Sequence, residues 1–536
     1  MENSSKSLKD LLIGRDNYFD FIRLVAAILV IYSHAYPLSG SGYEDPLYRL
    51  SNGQITLGNL AVFIFFIISG LLITQSYLYS NNLFTYLKSR VLRIFPGLFA
   101  VLLFSAFILG PLVTSLSFKE YMTNQGVIQY MKAIFLYPMQ WNLPGVFEGN
   151  AYKGVVNGSL WTIPFEFLCY LIIGALGFTR LLKHRYLMLL ISLVVFYYYI
   201  FGGVISPSGS GHLLGLEINT IVELLTFFLM GSLACLFKDK ITLHKELTMI
   251  GIVLLFISIY YGGFKPLFAV FGSYIILYCA FLPKTILSLI TKKGDFSYGV
   301  YLFAFPIQQT ITFLYGGKTS VWMNFLLSVP VTLILAIASW YTVEKTFLKY
   351  KKVKLNRGWS RIRFLDPLRN IVDHFDKLLK YLLQMNWIKF VTFFGLFILM
   401  FINYNLKPSI IEFPYHKSES IFHDGWLPQN NSENYRWISK VGSIELSIPS
   451  NANLNIEGFV PETFKEINKV KVYLNNKIIN ESDLIAGEGF FLNIPVQSSS
   501  NTDIVTIEFN AVHVPSETDA DQRKMSALIS KIRVLN

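Results

Sequence analysis

Arg23 and His34 lie in the first apolar stretch of the chain, and their side chains suit anion binding and acid–base chemistry. They are eleven residues apart. At about 100° per residue, a helix returns both to nearly the same face, roughly 16 Å apart along its axis. Arg23 could hold an anionic donor, and the imidazole of His34 could act as a general base. A buried histidine held by a backbone carbonyl explains His34 equally well.

A second pair of cations, Arg90 and Arg93, stands at the beginning of the third apolar stretch. Residues three apart share a helix face, and two planar guanidinium groups on one face can bind phosphates. Arginines are also common at this position simply because they anchor a helix at the cytoplasmic membrane surface. Spacing alone favours the anchoring role slightly.

A third polar group surrounds the start of the fourth apolar stretch, where Ser159 and Trp161 precede Glu166. Because the first stretch runs outward and the fourth inward, we expect Glu166 and His34 at similar depth. A carboxylate that accepts from an imidazole orients the ring and raises its basicity. The alternative is a glutamate paired with another polar side chain for structural reasons. Glu223, in the sixth stretch, is a lesser candidate whose partner the sequence does not identify.

Composition indicates that the elements positioning these side chains are membrane-spanning helices. The 536 residues are 53% hydrophobic, 16% aromatic and only 15% charged, with a mean hydropathy of +0.45. Soluble globular chains carry about 25% charged residues, so this composition excludes an ordinary soluble protein and a disordered one. Three cysteines, all within apolar stretches, exclude a disulfide scaffold and a cysteine-built metal site. No metal is expected.

Ten apolar stretches are long enough to cross a bilayer as helices. They cover residues 18–38, 57–79, 91–113, 157–177, 186–206, 218–237, 247–263, 265–283, 295–316 and 320–343, and an eleventh runs from Trp387 to about Asn403. Lysine and arginine concentrate in alternate loops, beginning with the N-terminal segment, which predicts a cytoplasmic N-terminus. The net charge of +12 therefore reflects topology and lipid attraction, and no nucleic-acid partner is expected.

These patterns predict a polytopic α-helical membrane protein with a C-terminal all-β domain. Residues 1–344 form the membrane domain, and 345–386 form a basic, amphipathic linker on the cytoplasmic leaflet. Residues 387–404 form the eleventh helix. Residues 407–536 alternate between apolar and polar side chains and contain turn residues such as Asn475-Asn476, which indicates a β-sandwich outside the membrane.

The polar motifs resemble those of the acyltransferase family three membrane enzymes, which O-acylate cell-surface glycans. The matching segments are Arg23 with His34, 65–73 with its Phe-Ser-Gly core, 90–96 with Arg-x-x-Arg, 159–161 with Glu166, 296–302, and 343–345. They follow the family's order over about residues 15–350. One departure is Ala304-Phe305-Pro306, where many members have His-Phe-Pro; Gln308 and Gln309 follow it.

The resemblance implies that the membrane domain takes an acetyl group from cytoplasmic acetyl-CoA. It would deliver that group to a hydroxyl of a surface polysaccharide, most simply lipopolysaccharide O-antigen or a related glycan, at the bacterial inner membrane. It implies His34 and Glu166 as catalytic residues, Arg23, Arg90 and Arg93 as the CoA-binding residues, and Ser159, Trp161 and Gln308 as acceptor-binding residues. Direct attack by the sugar and an acyl-enzyme at His34 both remain open.

The β domain lacks the Gly-Asp-Ser nucleophile block of the SGNH hydrolase-like domain that some relatives carry, and would lie in the periplasm. It is similar to β-domains appended to glycan-assembly proteins, and Trp426 and Arg436 could stack on sugar rings of the acceptor. Core aromatics of an ordinary sandwich explain the tryptophans equally well. Whether identical chains associate into an oligomer is left open.

Two other functions fit parts of the sequence. A transporter or flippase of a lipid-linked glycan would need many spans and a basic inner face, but the sequence shows no internal repeat of the kind typical of transporters. A sensor could use the membrane part as an anchor. An anchor would not need His34, Glu166 and two arginine clusters, so the enzyme is favoured. Its expected partners are acetyl-CoA, the glycan or a lipid-linked oligosaccharide, and the bilayer.

Overall fold

The computed structural model describes residues 6–14, 17–42, 44–205, 212–283, 294–352, 366–384, 410–412, 421–423, 425–427, 435–448, 452–497, 503–514 and 524–535. The chain divides into two compact units. Helices make up the first, and antiparallel strands make up the second. This arrangement agrees with the predicted membrane domain and C-terminal β domain.

Apolar helices occupy the positions of the ten predicted spans. They are α1 Phe19–Ser39, α2 Leu57–Ser80, α3 Leu83–Val113, α4 Gly158–Phe178, α5 Arg185–Ile205, α6 Ile218–Leu236, α7 Lys245–Tyr261, α8 Phe264–Ala280, α9 Ser297–Leu314 and α10 Val321–Lys349. Among the described residues, six of these helices (α1 to α4, α6 and α10) are long and apolar enough to cross a membrane. The count of ten or eleven spans stays a prediction, and the eleventh segment lies outside the described residues.

Local capping fixes where several of these helices begin and end. The side chains of Thr56, Asn82 and Ser320 accept hydrogen bonds from first-turn N–H groups of α2, α3 and α10. Because Asn82 caps α3, this helix begins eight residues before the predicted span 91–113. Gly40, with φ of +86°, ends α1 in a conformation that a Cβ would strain.

Helices α2 and α6 touch through their backbones. A Cβ on Gly70 would lie 1.8 Å from a backbone carbonyl oxygen of α6, and one on Gly231 would lie 1.9 Å from a carbonyl oxygen of α2. The hydroxyl of Thr74 donates to that of Ser232 across the same contact at 2.8 Å. Small residues and an interhelical hydrogen bond are the usual means of close helix packing in membranes.

Helix α1, which carries Arg23 and His34, packs against α9 and α10. The buried residues of this contact are Leu24, Ala27, Ile31, Val300, Ala304 and Ala336. Ala304 is the residue at which the sequence departs from the family's His-Phe-Pro, and the methyl group fills this interface. The contact of α1 with α9 and α10 therefore positions Arg23 and His34.

The predicted amphipathic linker contains a further helix, α11, at Asp366–Gln384. Asp376 of α11 accepts hydrogen bonds from the backbone N–H groups of Tyr186 and Leu187, at 2.9 and 2.8 Å. The imidazole of His184 lies 3.4 Å from Asp373. The carboxylate of Asp376 thus caps the start of α5 from a different helix.

Besides the short hairpin of β1 His212–Leu213 and β2 Leu216–Glu217, the strands belong to the C-terminal unit. They are β3 Ile410–Glu412, β4 Arg436–Ile438, β5 Val441–Leu446, β6 Ala452–Phe459, β7 Lys469–Leu474, β8 Lys477–Asp483, β9 Gly489–Val496, β10 Asp503–Phe509 and β11 Ala527–Leu535. One sheet has the order β5-β10-β7-β8, and the other has β3-β11-β6-β9 with β4 also paired to β11.

Residues from both sheets form one apolar core, as the predicted sandwich requires. Ile444 and Val505 of the first sheet and Leu454 and Ile532 of the second belong to the same buried cluster. Alternate residues of β5 and of β10 point into this core, so in these strands the period-two pattern places apolar side chains inside. The predicted turn at Asn475-Asn476 joins β7 to β8, and both residues have positive φ.

Candidate active site

The imidazole of His34 lies near one end of α1 with no hydrogen-bond partner among the described residues. Its Nδ1 atom is shielded from solvent. The ring meets that of Phe305 edge to face, with 5.5 Å between ring centroids. An imidazole held by a backbone carbonyl, the structural alternative for His34, is therefore not what the structure shows. The side chain is free to exchange a proton with a bound substrate.

The helical turn that carries His34 is fixed by a buried carboxylate that the sequence analysis missed. The hydroxyl of Ser33 donates to Asp45 at 2.6 Å. Asp45 has no solvent exposure and also accepts from the N–H of Leu57 at 2.7 Å and from two N–H groups of the short helix Pro46–Leu50. The Asp-Pro pair before a helix is a capping signal that could have identified it.

Glu166 does not contact His34, so the predicted hydrogen bond between them is wrong. The carboxylate accepts instead from Tyr170, one turn farther along α4, and from Ser69 of α2 at 3.3 Å. The alternative, a glutamate with polar partners of its own, describes these contacts.

Arg23 and Arg93 are already engaged with carboxylates. Asp295, just before α9, accepts a hydrogen bond from Arg93, and its Oδ2 lies 3.2 Å from Nη1 of Arg23. Arg23 also pairs with Asp20, and Glu344 lies 3.8 Å from Arg93. The network joins α1, α3, α10 and the start of α9, and its three carboxylates outnumber its two cations. The sequence does not reveal this network, because 202 residues separate Arg93 from Asp295.

Arg90 has a different environment, although it lies on the same helix as Arg93. Its side chain is 8% exposed and donates to Ser89 at 3.1 Å and to Ser76 at 3.5 Å. The guanidinium lies against the rings of Tyr86 and Tyr170 at 5.9 and 5.8 Å from their centroids. Within the described ranges, no carboxylate is within ion-pair distance of it. A buried cation with only neutral partners is a ready binding group for an anion.

Ser159 and Trp161 lie in the 3₁₀ turn that opens α4. The hydroxyl of Tyr301 donates to the backbone carbonyl of Ser159 at 2.6 Å and pairs with Thr162 at the same distance. The hydroxyl oxygen of Ser159 is buried and has no partner in the described part of the chain. Trp161 is half-buried and packs edge to face on Phe165. These contacts hold the turn and leave one hydroxyl unused.

Gln308, predicted to bind the acceptor, is fully buried between helices. Its amide nitrogen donates to the carbonyl of Ile31 and to the side chain of Asn324, both at 2.8 Å. The side chain of Asn324 returns a hydrogen bond to the Gln308 carbonyl at 3.0 Å. Gln308 therefore joins α1, α9 and α10 one turn from His34.

The neighbouring Gln309 fixes the loop before α4. Its amide nitrogen donates to the carbonyls of Tyr152 and Val155, at 2.7 and 2.8 Å. Its amide oxygen accepts from Asn150 at 2.8 Å. The glutamines that follow the family's departure at Ala304 thus anchor a helix interface and a loop.

Trp426 and Arg436 lie in the interior of the β domain. Trp426 is 9% exposed, and its indole N–H donates to the carbonyl of Ser443 at 2.9 Å. Arg436 is 5% exposed, donates to the carbonyl of Leu427 and lies 4.3 Å from the ring centroid of Phe422. Neither side chain forms an exposed sugar-stacking surface. The contacts support the alternative of ordinary core residues.

Two other predictions concern Glu223 and metal sites. Glu223 does have a partner, because Nζ of Lys265 lies 3.1 Å from its carboxylate and the hydroxyl of Tyr199 lies at 3.2 Å. The described residues contain no group of three or more histidine, cysteine, aspartate or glutamate side chains that could hold a metal ion. The sequence-predicted residues of the membrane domain thus fall into separate sets of contacts: His34 packs on Phe305, whereas Arg90, Tyr170, Glu166 and Ser69 contact one another.

Comparison with known proteins assigns the helical unit to a family. Residues 16–341 match the family described as "Acyltransferase domain". The chain is 32% identical over 348 residues to a protein of Shigella phage Sf6 named "O-acetyl transferase", covering 64% of this chain and 99% of that protein. It is 26% identical over 384 residues to "Nodulation protein 10" of Rhizobium leguminosarum bv. viciae, covering 65% of this chain and 97% of that protein.

The matched region contains the three polar clusters of the membrane domain and stops before the β domain. It covers more than half of the chain, and the phage relative is matched over nearly its whole length. The chain therefore belongs to the acyltransferase family three, and it is a membrane-embedded transferase enzyme.

Proposed function

We propose that this enzyme transfers an acetyl group from acetyl-CoA to a hydroxyl of a cell-surface polysaccharide, such as lipopolysaccharide O-antigen or a related glycan. The observation that carries the proposal is the unengaged imidazole of His34 within an acyltransferase domain. The name of the phage relative, O-acetyl transferase, supports acetyl as the transferred group.

Arg90 is the residue best suited to hold the phosphates of acetyl-CoA. It is buried, charged and paired only with hydroxyl groups and aromatic rings. Arg23 and Arg93 would have to exchange the carboxylate of Asp295 for a phosphate. We therefore assign donor binding mainly to Arg90 and a positioning role at the same end of the bundle to Arg23 and Arg93.

His34 supplies the acid–base step in this proposal. Its imidazole removes the proton from the sugar hydroxyl as that oxygen attacks the thioester carbonyl. The carbon–sulfur bond then breaks, and the imidazolium returns the proton to the CoA sulfur. In the other route the imidazole itself takes the acetyl group before the sugar attacks. Ping-pong kinetics would identify that acyl-enzyme, whereas direct transfer requires both substrates together.

Glu166 would act on the donor side of the site instead of orienting His34. Tyr170 contacts both the guanidinium of Arg90 and the carboxylate of Glu166, so these groups form one polar unit. Ser159, with its unused buried hydroxyl, and the half-buried Trp161 stay candidates for contact with the acceptor. Gln308 would act through the helix interface that it holds.

The same proposal places the enzyme in a bacterial inner membrane, with a cytoplasmic N-terminus and a periplasmic β domain. The distribution of lysine and arginine among the loops supports this orientation. Acetyl-CoA would then reach Arg90 from the cytoplasm, and the glycan would reach His34 from the opposite side. The β domain would position the acceptor, although Trp426 and Arg436 are too buried to stack on it.

The base-labile O-acetyl content of the surface polysaccharide, measured by proton NMR, tests the proposal. A deletion strain is compared with strains carrying the wild type, His34→Ala or His212→Ala at equal membrane abundance. His212 is exposed on β1 and serves as the matched control. We expect wild type and His212→Ala to restore acetylation and His34→Ala to abolish it. Normal acetylation by His34→Ala would refute its catalytic role, and an altered amount or length of polysaccharide without any change in acetylation would favour transport.

A further inference from the structure

A cavity of 440 Å³ lies in the segment between α3 and α4. Its lining comes from the short helix Gln125–Met131 and from residues 139–154 of the following loop. The volume falls within the range of about 300–1,000 Å³ that is typical of small-ligand sites. No residue assigned to the transferase site above lines it.

The walls of this cavity are held by hydrogen bonds within the segment. The hydroxyl of Thr114 donates to the carbonyl of Pro144 at 2.8 Å, and the N–H of Ser115 donates to that of Gly145 at 2.9 Å. Gly145 has φ of +68°, and a Cβ there would lie 2.7 Å from the hydroxyl of Ser115. The segment is closely packed, and the cavity is a formed feature of it.

The polar side chains of the lining have the chemistry of a sugar-binding site. Gln129, Trp141, Asn142 and Glu148 line the cavity, and none of their side chains forms a hydrogen bond or ion pair with another described residue. An indole ring can pack on the apolar C–H face of a sugar, while amide and carboxylate groups bond its hydroxyls. Gln129, Asn142 and Glu148 are exposed and Trp141 is half-buried, so a ligand can reach all four, and a concave site with one aromatic ring and a few accessible polar groups is suited to a sugar.

The charge of the lining selects among sugars. Glu148 is the one ionisable side chain among the residues that the structure places around the cavity, and neither lysine nor arginine is among them. A carboxylate accepts hydrogen bonds from neutral sugars but repels uronic acids and phosphate groups. The cavity therefore suits an uncharged sugar residue.

The cavity also adjoins the surroundings of His34. Gly154 lines it. The carbonyls of Tyr152, two residues before Gly154, and of Val155, the next residue, accept hydrogen bonds from Gln309. The ring of Tyr152 packs edge to face on Phe305 at 5.9 Å, and Phe305 packs on His34 in the same manner at 5.5 Å. A glycan held in the cavity would lie at the end of the bundle where His34 is found.

We propose that this cavity binds an uncharged sugar residue of the acceptor glycan and so presents a neighbouring hydroxyl to His34. The inference rests on the proposed transferase function and names the acceptor side of its site. Gln129, Trp141, Asn142 and Glu148 are its binding residues, and the chemistry remains that of His34.

The test uses the purified full-length enzyme in lipid nanodiscs with labelled acetyl-CoA. The acceptor is the producing strain's own surface polysaccharide after alkaline removal of its acetyl groups. Gln129→Ala is compared with Gln125→Ala, which removes the same side chain from the same short helix outside the cavity. Trp141→Ala is the second variant. We expect Gln129→Ala and Trp141→Ala to raise the KM for polysaccharide about fivefold or more, with kcat and the KM for acetyl-CoA nearly unchanged.

Each outcome separates the two proposals. Absence of transfer by the wild-type enzyme would count against the proposed function itself. Transfer by the wild type with an unchanged polysaccharide KM in Gln129→Ala and Trp141→Ala would overturn the cavity assignment alone, as would an equal rise in Gln125→Ala. For an uncharged ligand, the wild-type KM should change less than about twofold between low and high salt. A steep salt dependence would overturn the charge argument.

Discussion

The side chains of Gln309 and Asn150 form a buried amide pair that ties α9 to the loop before α4. The nitrogen of Asn150 donates to the amide oxygen of Gln309 at 2.8 Å and to its backbone carbonyl at 2.9 Å. Both residues are almost completely shielded from solvent. Since the loop also lines the cavity that we propose binds the acceptor sugar, the pair fixes one wall of that cavity.

Replacing Gln309 by leucine should release this loop. The substitution removes the hydrogen bonds from the Gln309 side chain to two loop carbonyls and leaves the Asn150 amide with only the backbone carbonyl of residue 309, and each buried group left unpaired costs about 1–3 kcal/mol. We expect faster proteolytic cleavage within residues 139–155 and a strong loss of transfer at normal membrane abundance. Thr310→Val, which removes a hydroxyl bonded only within α9, is the control. Equal protease resistance in both variants would contradict the anchoring role.

Asp295→Asn should destabilise the helical unit. The carboxylate balances Arg23 and Arg93 where all three side chains are mostly buried, and removing one partner from a buried ion pair costs about 3–5 kcal/mol. The melting temperature of the detergent-solubilised enzyme should therefore fall by about 5 °C or more. Asp239→Asn breaks a more exposed ion pair with Arg185 and should change the melting temperature little. Similar shifts in both variants would show that the network is not buried as described.

Arg90→Ala should weaken binding of the donor. Charge-assisted hydrogen bonds contribute about 1.5–3 kcal/mol, so the KM for acetyl-CoA should rise about tenfold or more. Arg90→Lys keeps the charge but loses the planar fork, and should lie between wild type and Arg90→Ala. Arg185→Ala, at an ion pair outside the site, is the control. If the KM for acetyl-CoA is unchanged in Arg90→Ala, then Arg90 does not bind the phosphates and other cations must do so.

Asp376→Ala should loosen the start of α5. The carboxylate accepts from the N–H groups of Tyr186 and Leu187, and loss of such a cap typically costs about 1 kcal/mol. Hydrogen exchange at these two amides should accelerate, and α11 should become more sensitive to protease. Lys377→Ala, at the next and exposed position of α11, should change neither. Unaltered exchange in Asp376→Ala would show that water replaces the cap.

The helix positions can be predicted from the sequence because a membrane span needs a long apolar stretch, and an apolar stretch is a local property of the chain. The sixth span was predicted at 218–237, and α6 runs over Ile218–Leu236. The apolar pattern predicts the third span from residue 91, whereas α3 begins at Leu83, because hydrophobicity does not reveal the cap at Asn82. The β-strands were accessible for the same reason, through alternation over a few residues and a turn at Asn475-Asn476.

The partners of the polar side chains are harder to predict from the sequence, because they depend on which helices become neighbours. Nothing in the sequence joins Asp295 to Arg23 and Arg93, which lie far away along the chain. The contact of Glu166 with Tyr170 is different: four residues on a helix bring two side chains together, and this spacing could have indicated it.

The close approach of α2 to α6, at Gly70 of one helix and Gly231 of the other, limits how these two helices can move. Two helices whose backbones touch cannot slide or turn past each other without a clash, so α2 and α6 must travel as one rigid body. Ser69, the neighbour of Gly70 and a partner of Glu166, is carried on that body. Sliding of α2 along α6 would therefore need the two helices to separate first, which would break the hydrogen bond between Thr74 and Ser232.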